Sequence, residues 1–250
     1  MSEVWAACEP RARAVTYSGE VLRLVESQEQ VATQRLVANL AEQDLLEALI
    51  ERSKPPRPPA TDSLDYLLAT PFRYPPLRHG SRFGRRHEPA LFYAACARTP
   101  LLAEAAYYRF VFWAGMAVPP PQPLRTQHTV FGASVRTRHC YRLDAPPFDE
   151  HRAPLASPVD YSATQDLGTA LRSAGADAIV YPSARDPLGG LNLALYTPAA
   201  FAAPRPTFRE EWLCETTAER VSFRNRAAPG VHTLPLGQFT VDGRLPVPAT

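Results

Sequence analysis

The chain has 250 residues, the length of one large domain or of one domain with an extension, and 45% are hydrophobic, which supports a packed core and excludes global disorder. The 27 basic residues nearly match the 25 acidic ones, and a net charge of +2 excludes attachment to nucleic acid by bulk charge alone. Every basic residue except Lys54 is arginine, and the 27 prolines are twice the usual share of about 5%, so connections should be irregular and long central strands few.

Cys8, Cys96, Cys140 and Cys214 lie far apart and form no C-x-x-C, which argues against a disulfide scaffold and a cysteine zinc site. The N-terminus carries Glu3 and Glu9 and lacks an apolar signal core. The most apolar run, Val111 to Val118, falls far short of the ~20 residues a membrane helix needs. The chain reads as soluble and cytoplasmic, with free thiols.

In chain order, residues 18–53 read as two or three helices. Val21 and Val25, Leu36 and Leu40, Leu45 and Leu49, and Leu46 and Ile50 repeat at helical spacing, and Ser27 with Gln30 resembles a capping box. This apolar stripe is either core or an interface with another chain. The run Lys54-Pro55-Pro56-Arg57-Pro58-Pro59 stops the helices and forms a stiff linker. Residues 1–56 are thus expected to form an N-terminal helical extension and residues 57–250 the main domain. Beyond the linker, Leu91 to Ala94 reads as a buried strand, Pro100 to Trp113 as a helix and Thr126 to Leu143 as one or two strands. Ser162 to Ser173 reads as a helix that Gly175 stops. Ala178 to Tyr181 is a strand broken by Pro182, Asn192 to Tyr196 is another after Gly189-Gly190, and Val241-Asp242-Gly243-Arg244 is a hairpin turn. No regular βαβ alternation emerges, so the fold class is α+β, a mixed sheet with flanking helices.

Three segments carry chemistry. Arg73, Arg78, Arg82, Arg85 and Arg86 fall close together with Gly80 and Gly84, and no acid precedes Glu88. Guanidinium forks match phosphate oxygens and glycine lets backbone approach a ligand, so this is a phosphate-binding loop or a solvated basic one. It is no P-loop. Glu104 is the lone acid on the apolar turn Leu101 to Ala106, and burial obliges it to find a partner: Arg109, the arginine loop, or a ligand. Tyr93 either stacks on a flat ligand ring or joins the core. Ser183, at the exit of a strand, either faces a ligand or is solvated, and no G-x-S-x-G surrounds it. The six histidines form no metal-ligand spacing, so no metal is expected.

Taken together, Phe72-Arg73, Gly80-Ser81-Arg82-Phe83, Leu91-Phe92-Tyr93, Leu102-Ala103-Glu104 and Tyr181-Pro182-Ser183 with Asn192 resemble, in order and spacing, the RES domain family. The resemblance runs from Pro71 to about Ala199. It implies an ADP-ribosyltransferase-like fold and an NAD-consuming toxin that releases nicotinamide, with NAD as substrate and inorganic phosphate as co-substrate (an NAD phosphorylase). The alternatives are a protein ADP-ribosyltransferase and a non-catalytic nucleotide- or nucleic-acid-binding module. The implied partner is an Xre-like helix-turn-helix antitoxin, with no direct nucleic-acid or membrane contact; the N-terminal helices would meet that antitoxin or a second copy in a homodimer. Carried over by residue, Arg73 and Arg82 would hold phosphates, Tyr93 would pack on the nicotinamide side, Glu104 would act at the scissile ribose with Arg82, and Ser183 and Asn192 would contact the ligand. Arg85 or Arg86 would hold a second anion. Many family members have Trp-Asn after the motif arginine where this chain has Phe83-Gly84.

Overall fold

An apolar set at i, i+1, i+3 and i+4 suits one helix face and also a strand buried on both faces, and Val21, Leu22, Leu24 and Val25 form such a set. In the computed structural model, which describes residues 2–27 and 36–247, they lie on strand β1 (Val15–Glu26). The expected helix over this stretch is therefore corrected. Val21 and Val25 pack with Phe92, Phe131 and Leu193, while Leu22 and Leu24 pack with Phe110 and Trp212 on the other side. Burial on both faces decides the conformation over local periodicity. Helix α1 (Glu3–Cys8) precedes this strand. The Ser27–Gln30 cap falls partly outside the described residues, and the Ser27 hydroxyl bonds Thr129 Oγ1 at 2.7 Å.

Helix α2 (Leu40–Ser53) is present, capped by Asn39, whose side chain accepts from the Glu42 N–H. It half-buries Leu46 and Ile50 and leaves Leu40, Leu45 and Leu49 exposed. The proline run ends it, and α3 (Tyr66–Arg73) follows. Then come β2 (Phe92–Ala95), α4 (Arg98–Ala114) and the 19-residue β3 (Leu124–Arg142), a single strand. Short α5 (Arg152–Leu155) leads to α6 (Ser162–Ser173). Asp160 caps α6 by accepting from the Ser162 N–H and hydroxyl, and Gly175 ends it with φ +77°. Next are β4 (Ala178–Pro182), β5 (Leu191–Leu195), β6 (Arg209–Thr216), β7 (Arg220–Asn225) and β8 (His232–Pro235). The turn at Asp242-Gly243 has positive φ at both residues and closes a Val241–Arg244 bridge.

The architecture is α+β. One eight-stranded mixed sheet runs β1-β2-β5-β4-β3-β6-β7-β8, and β1 also pairs antiparallel with β3 from Val15–Cys140 to Glu26–His128. Five strands therefore close on themselves, β1-β2-β5-β4-β3 and back to β1, while β6, β7 and β8 extend from β3. The β3–β4 pair is parallel and the rest are antiparallel. The β1–β2 seam is a single register pair, Leu22–Ala95, so the two strands splay apart beyond it. Leu67 and Leu68 of α3 join one apolar cluster with Phe92, Val135, Val180 and Leu193; α1 and α6 cover a second; α4 packs on β6 and β7 in a third. Among the described residues no helix is long and apolar enough to cross a membrane.

Two stability predictions follow from this packing. Burial first, and then the Arg109 charge, push His128 down to about 4, so the fold holds a neutral imidazole beside Thr126 Oγ1 at 2.8 Å. The unfolded chain protonates this group near pH 6.5, so stability should fall as pH drops from about 6.5 to about 4, by roughly 3 kcal/mol from this residue. Urea unfolding at pH 7 and 4.5 should show a smaller acid loss for H128Q than for wild type. A Cβ added at Gly168 of α6 would lie 1.9 Å from Phe83 O, so G168A should destabilise by about 1–3 kcal/mol in the same assay.

Candidate active site

The loop after α3 is shaped by two glycines and held by α6. Gly80 has φ +74°, and the Ser81 N–H donates to Gly84 O at 2.7 Å. Gln165 Nε2 on α6 donates to His79 O at 2.9 Å and Ser81 O at 3.0 Å, while Gly168 lets the helix approach Phe83. This seats Arg82 with its guanidinium 4.4 Å from the centre of the Tyr161 ring. Arg82 Nη1 donates to Ser157 O at 3.0 Å, and its Nη2 is buried without a partner among the described residues.

Only one arginine of that loop enters a cleft with the other candidate groups. Arg73 does not: its Nε donates to Pro55 O at 2.6 Å and its Nη1 pairs with Glu51 Oε1 at 2.7 Å, tying α3 to α2 and the proline linker. Arg73, expected to hold a phosphate, is thus engaged outside the cleft that Arg82 lines. Arg85 pairs with Asp166, and Arg78 and Arg86 are exposed.

The cleft has a volume of about 310 Å³, and its lining includes Arg82, Tyr93, Glu104, Tyr161, Tyr181 and Asn192. Tyr93 on β2, Tyr181 on β4 and Asn192 on β5 share one sheet face; Tyr181 is the register partner of Asn192, and Asn192 also partners Ala95. Glu104 descends from α4. Its Oε1 accepts from Ser183 Oγ at 2.6 Å and Asn192 Nδ2 at 3.0 Å, and Oε2 takes no hydrogen bond from the described residues. Arg109, an alternative partner for this carboxylate, pairs instead with Glu26 at 3.1 Å.

Ser183, expected to contact the ligand, is engaged within the protein. Its Oγ accepts from the N–H groups of Arg185 and Asp186, both at 3.1 Å, while its proton goes to Glu104. A hydroxyl has one proton and two lone pairs, so nothing is left for a ligand, and Ser183 positions the carboxylate. Tyr93 likewise uses its hydroxyl on the loop, sharing a 2.8 Å hydrogen bond with Ser81 Oγ and accepting from the Phe83 N–H at 3.0 Å. Its ring faces the cleft. Phe83 is fully buried, edge-on to Tyr181 at 4.7 Å, and a Cβ at Gly84 would meet Leu91 at 2.7 Å and Ser81 Oγ at 2.9 Å. The motif ring is thus part of the core here, and a side chain after it would have to displace Leu91 and the Ser81 hydroxyl.

Sequence reading missed Arg23, because its segment was expected to be helical. Arg23 lines the cleft from β1, donates from Nη1 to Tyr93 O across the splayed β1–β2 seam, and lies 5.1 Å from the Phe92 ring centre. A lone arginine among Val21, Leu22, Leu24 and Val25 was the available signal, since a charge buried in an apolar strand needs a function or a partner. Burial pushes Arg23 down to about 10, which leaves it cationic at neutral pH. Burial and then the Glu104 charge push Tyr181 well up, and burial raises Tyr93, so these phenols stay neutral. The cleft therefore presents two cations, one carboxylate and neutral aromatic rings. Three buried polar atoms of its lining, Arg23 Nε, Arg82 Nη2 and Asn192 Oδ1, have no partner among the described residues. A larger cleft of about 1590 Å³ lies between α2 and strands β3, β6 and β7, and holds none of these groups.

No curated protein matches the chain. Among solved structures, the M. tuberculosis MbcT-MbcA toxin-antitoxin complex contains a chain that is similar at 11% identity, over 86% of this chain and 92% of that one, with a TM-score of 0.47. The family model for the RES domain matches residues 54–217, a span that carries Arg82, Tyr93, Glu104, Ser183 and Asn192, and the chain belongs to the RES domain family.

Proposed function

We propose that the protein cleaves the nicotinamide–ribose bond of NAD and passes the ADP-ribosyl group to inorganic phosphate. The observation that carries this is the Glu104 carboxylate, held at Oε1 by Ser183 and Asn192 and open at Oε2, in one cleft with Arg23 and Arg82. In this reaction the C–N glycosidic bond breaks and its electron pair neutralises the pyridinium ring as nicotinamide departs. The ribosyl carbon becomes oxocarbenium-like, a phosphate oxygen bonds to it, and the phosphate proton is released to solvent.

Glu104 Oε2 stabilises the developing positive charge, an electrostatic role that needs a fixed anion more than a proton shuttle. Guanidinium N–H groups left unpaired at Arg23 and Arg82 suit phosphate oxygens, so binding energy remote from the reacting carbon orients it. Two cations rather than one support a phosphate acceptor, and Arg23 takes the role first expected of Arg85 or Arg86. The tyrosine rings offer faces to a flat, positively charged leaving group. The reaction would run in the cytoplasm. The toxin would be restrained by an Xre-like helix-turn-helix antitoxin over the cleft, where Tyr108 lines the opening and stays 51% exposed beside the equally exposed Phe112.

Purified protein incubated with NAD and phosphate should yield nicotinamide and ADP-ribose 1″-phosphate by chromatography. A labelled protein band from labelled NAD and lysate would favour protein ADP-ribosylation instead, and intact NAD with folded protein would sink the proposal. E104Q should lower kcat about 100-fold or more with the fold retained. S183A removes one of the two bonds to Oε1 and should lower kcat about tenfold with little change in KM.

A further inference from the structure

Arg185 is a buried cation to which the mechanism above gives no role. It is 3% exposed and makes no ion pair among the described residues. A buried guanidinium without a carboxylate is costly unless its donors and faces are occupied. Its Cζ lies 3.5 Å from the Tyr107 ring centre, its Nη2 donates to Pro158 O at 2.9 Å and to Tyr161 Oη at 3.3 Å, and its Nε has no partner among the described residues. Tyr161 is the ring against which Arg82 stacks, and Arg82 also holds Ser157 O. Two arginines thus grip the segment 157–161 before α6, one on the face of Tyr161 and one on its hydroxyl.

The backbone of the same residue serves the other half of the site. Its N–H donates to Ser183 Oγ at 3.1 Å, and Ser183 donates to Glu104. Gln238 Nε2 donates to Arg185 O at 3.3 Å, anchoring the residue from the C-terminal segment. The carboxylate arm and the arginine arm therefore meet at one residue. We propose that Arg185 is a positioning residue: its side chain sets Arg82 through Tyr161, while its main chain sets Glu104 through Ser183. The inference rests on the cleft as the substrate site. It predicts that the two arms separate on mutation, because substituting the side chain keeps the N–H. Loss of the guanidinium then misplaces the ligand-binding cation and leaves the reacting carboxylate in register.

The test is steady-state kinetics on NAD with the full chain carrying R185M, R185K or Y161F, each checked for wild-type circular dichroism and melting. R185M should raise KM tenfold or more while kcat stays within threefold. R185K keeps the charge but reaches one of the two acceptors, and should give an intermediate KM. Y161F removes the hydroxyl and keeps the ring, and should raise KM about threefold. A folded R185M with KM within twofold of wild type, or with a loss confined to kcat, overturns the proposal; should R185M fail to fold, an unchanged KM in Y161F does so. The Arg82 Nε–H resonance in nitrogen-15 spectra provides a readout independent of turnover. It should shift in R185M and in Y161F, and an unmoved signal in both overturns the proposal whatever the substrate. A shifted signal in a protein that leaves NAD intact would retain Arg185 as the positioning residue and refute the NAD reaction.

Discussion

A carboxylate carried into a cleft lined by rings must have its charge met by hydrogen bonds or cations, and Glu104 is met by two hydrogen bonds. Ser183 and Asn192 converge on one of its oxygens from β4's exit and from β5. Much of the fold around it serves this convergence. Helix α4 carries the acid inward, the β4–β5 pairing places Asn192 beside Tyr181, and the turn ending in Gly190 brings the N–H groups of Arg185 and Asp186 onto Ser183. Gly190 is required there, since a Cβ would lie 2.4 Å from the Asp186 carboxylate. With Oε1 anchored by Ser183 and Asn192, Oε2 is left without a hydrogen bond from the described residues, so the orientation of the carboxylate is fixed within the cleft.

What the residues revealed in advance was uneven, for physical reasons. Helices α4 and α6 were legible because α4 repeats apolar residues on one face and α6 has Ser162 at its start and Gly175 after it, although the cap position falls on Tyr161 and Ser162 is the first helical residue. Glu104, Arg82, Tyr93 and Asn192 were joined in advance only through the order and spacing of the family motif, and the fold brings all four to one cleft. Ser183's bonds to Glu104 and to two backbone donors could not be read in advance, since they depend on the loop's conformation. Arg73 looked equivalent to Arg82 in sequence, and their three-dimensional partners separate them: Pro55 and Glu51 for Arg73, Tyr161 and Ser157 for Arg82. Strands β6, β7 and β8 escaped notice because β6 is rich in charge and its burial comes from α4 packing across it. For β1 the apolar spacing was ambiguous, and closure against β3 decided it.

The Phe83-Gly84 pair illustrates compensation within the motif. A buried ring packs against Tyr181, and the space that a following side chain would need is filled by Leu91 and the Ser81 hydroxyl. Ser81 in turn bonds Tyr93. The loop is thus fastened through a serine–tyrosine link and the α6 contacts.

The single-pair seam between β1 and β2 carries a consequence for how the gene product can be divided. The family match begins at residue 54, yet the strand that closes the ring of five and the guanidinium of Arg23 lie upstream of it. An excised 54–217 fragment would expose unpaired backbone along the edges of both β2 and β3, an invitation to aggregate, and would leave the cleft with a missing wall. The closed ring of strands is therefore not portable with the signature segment, and expression boundaries drawn from family similarity alone would leave the cleft without Arg23.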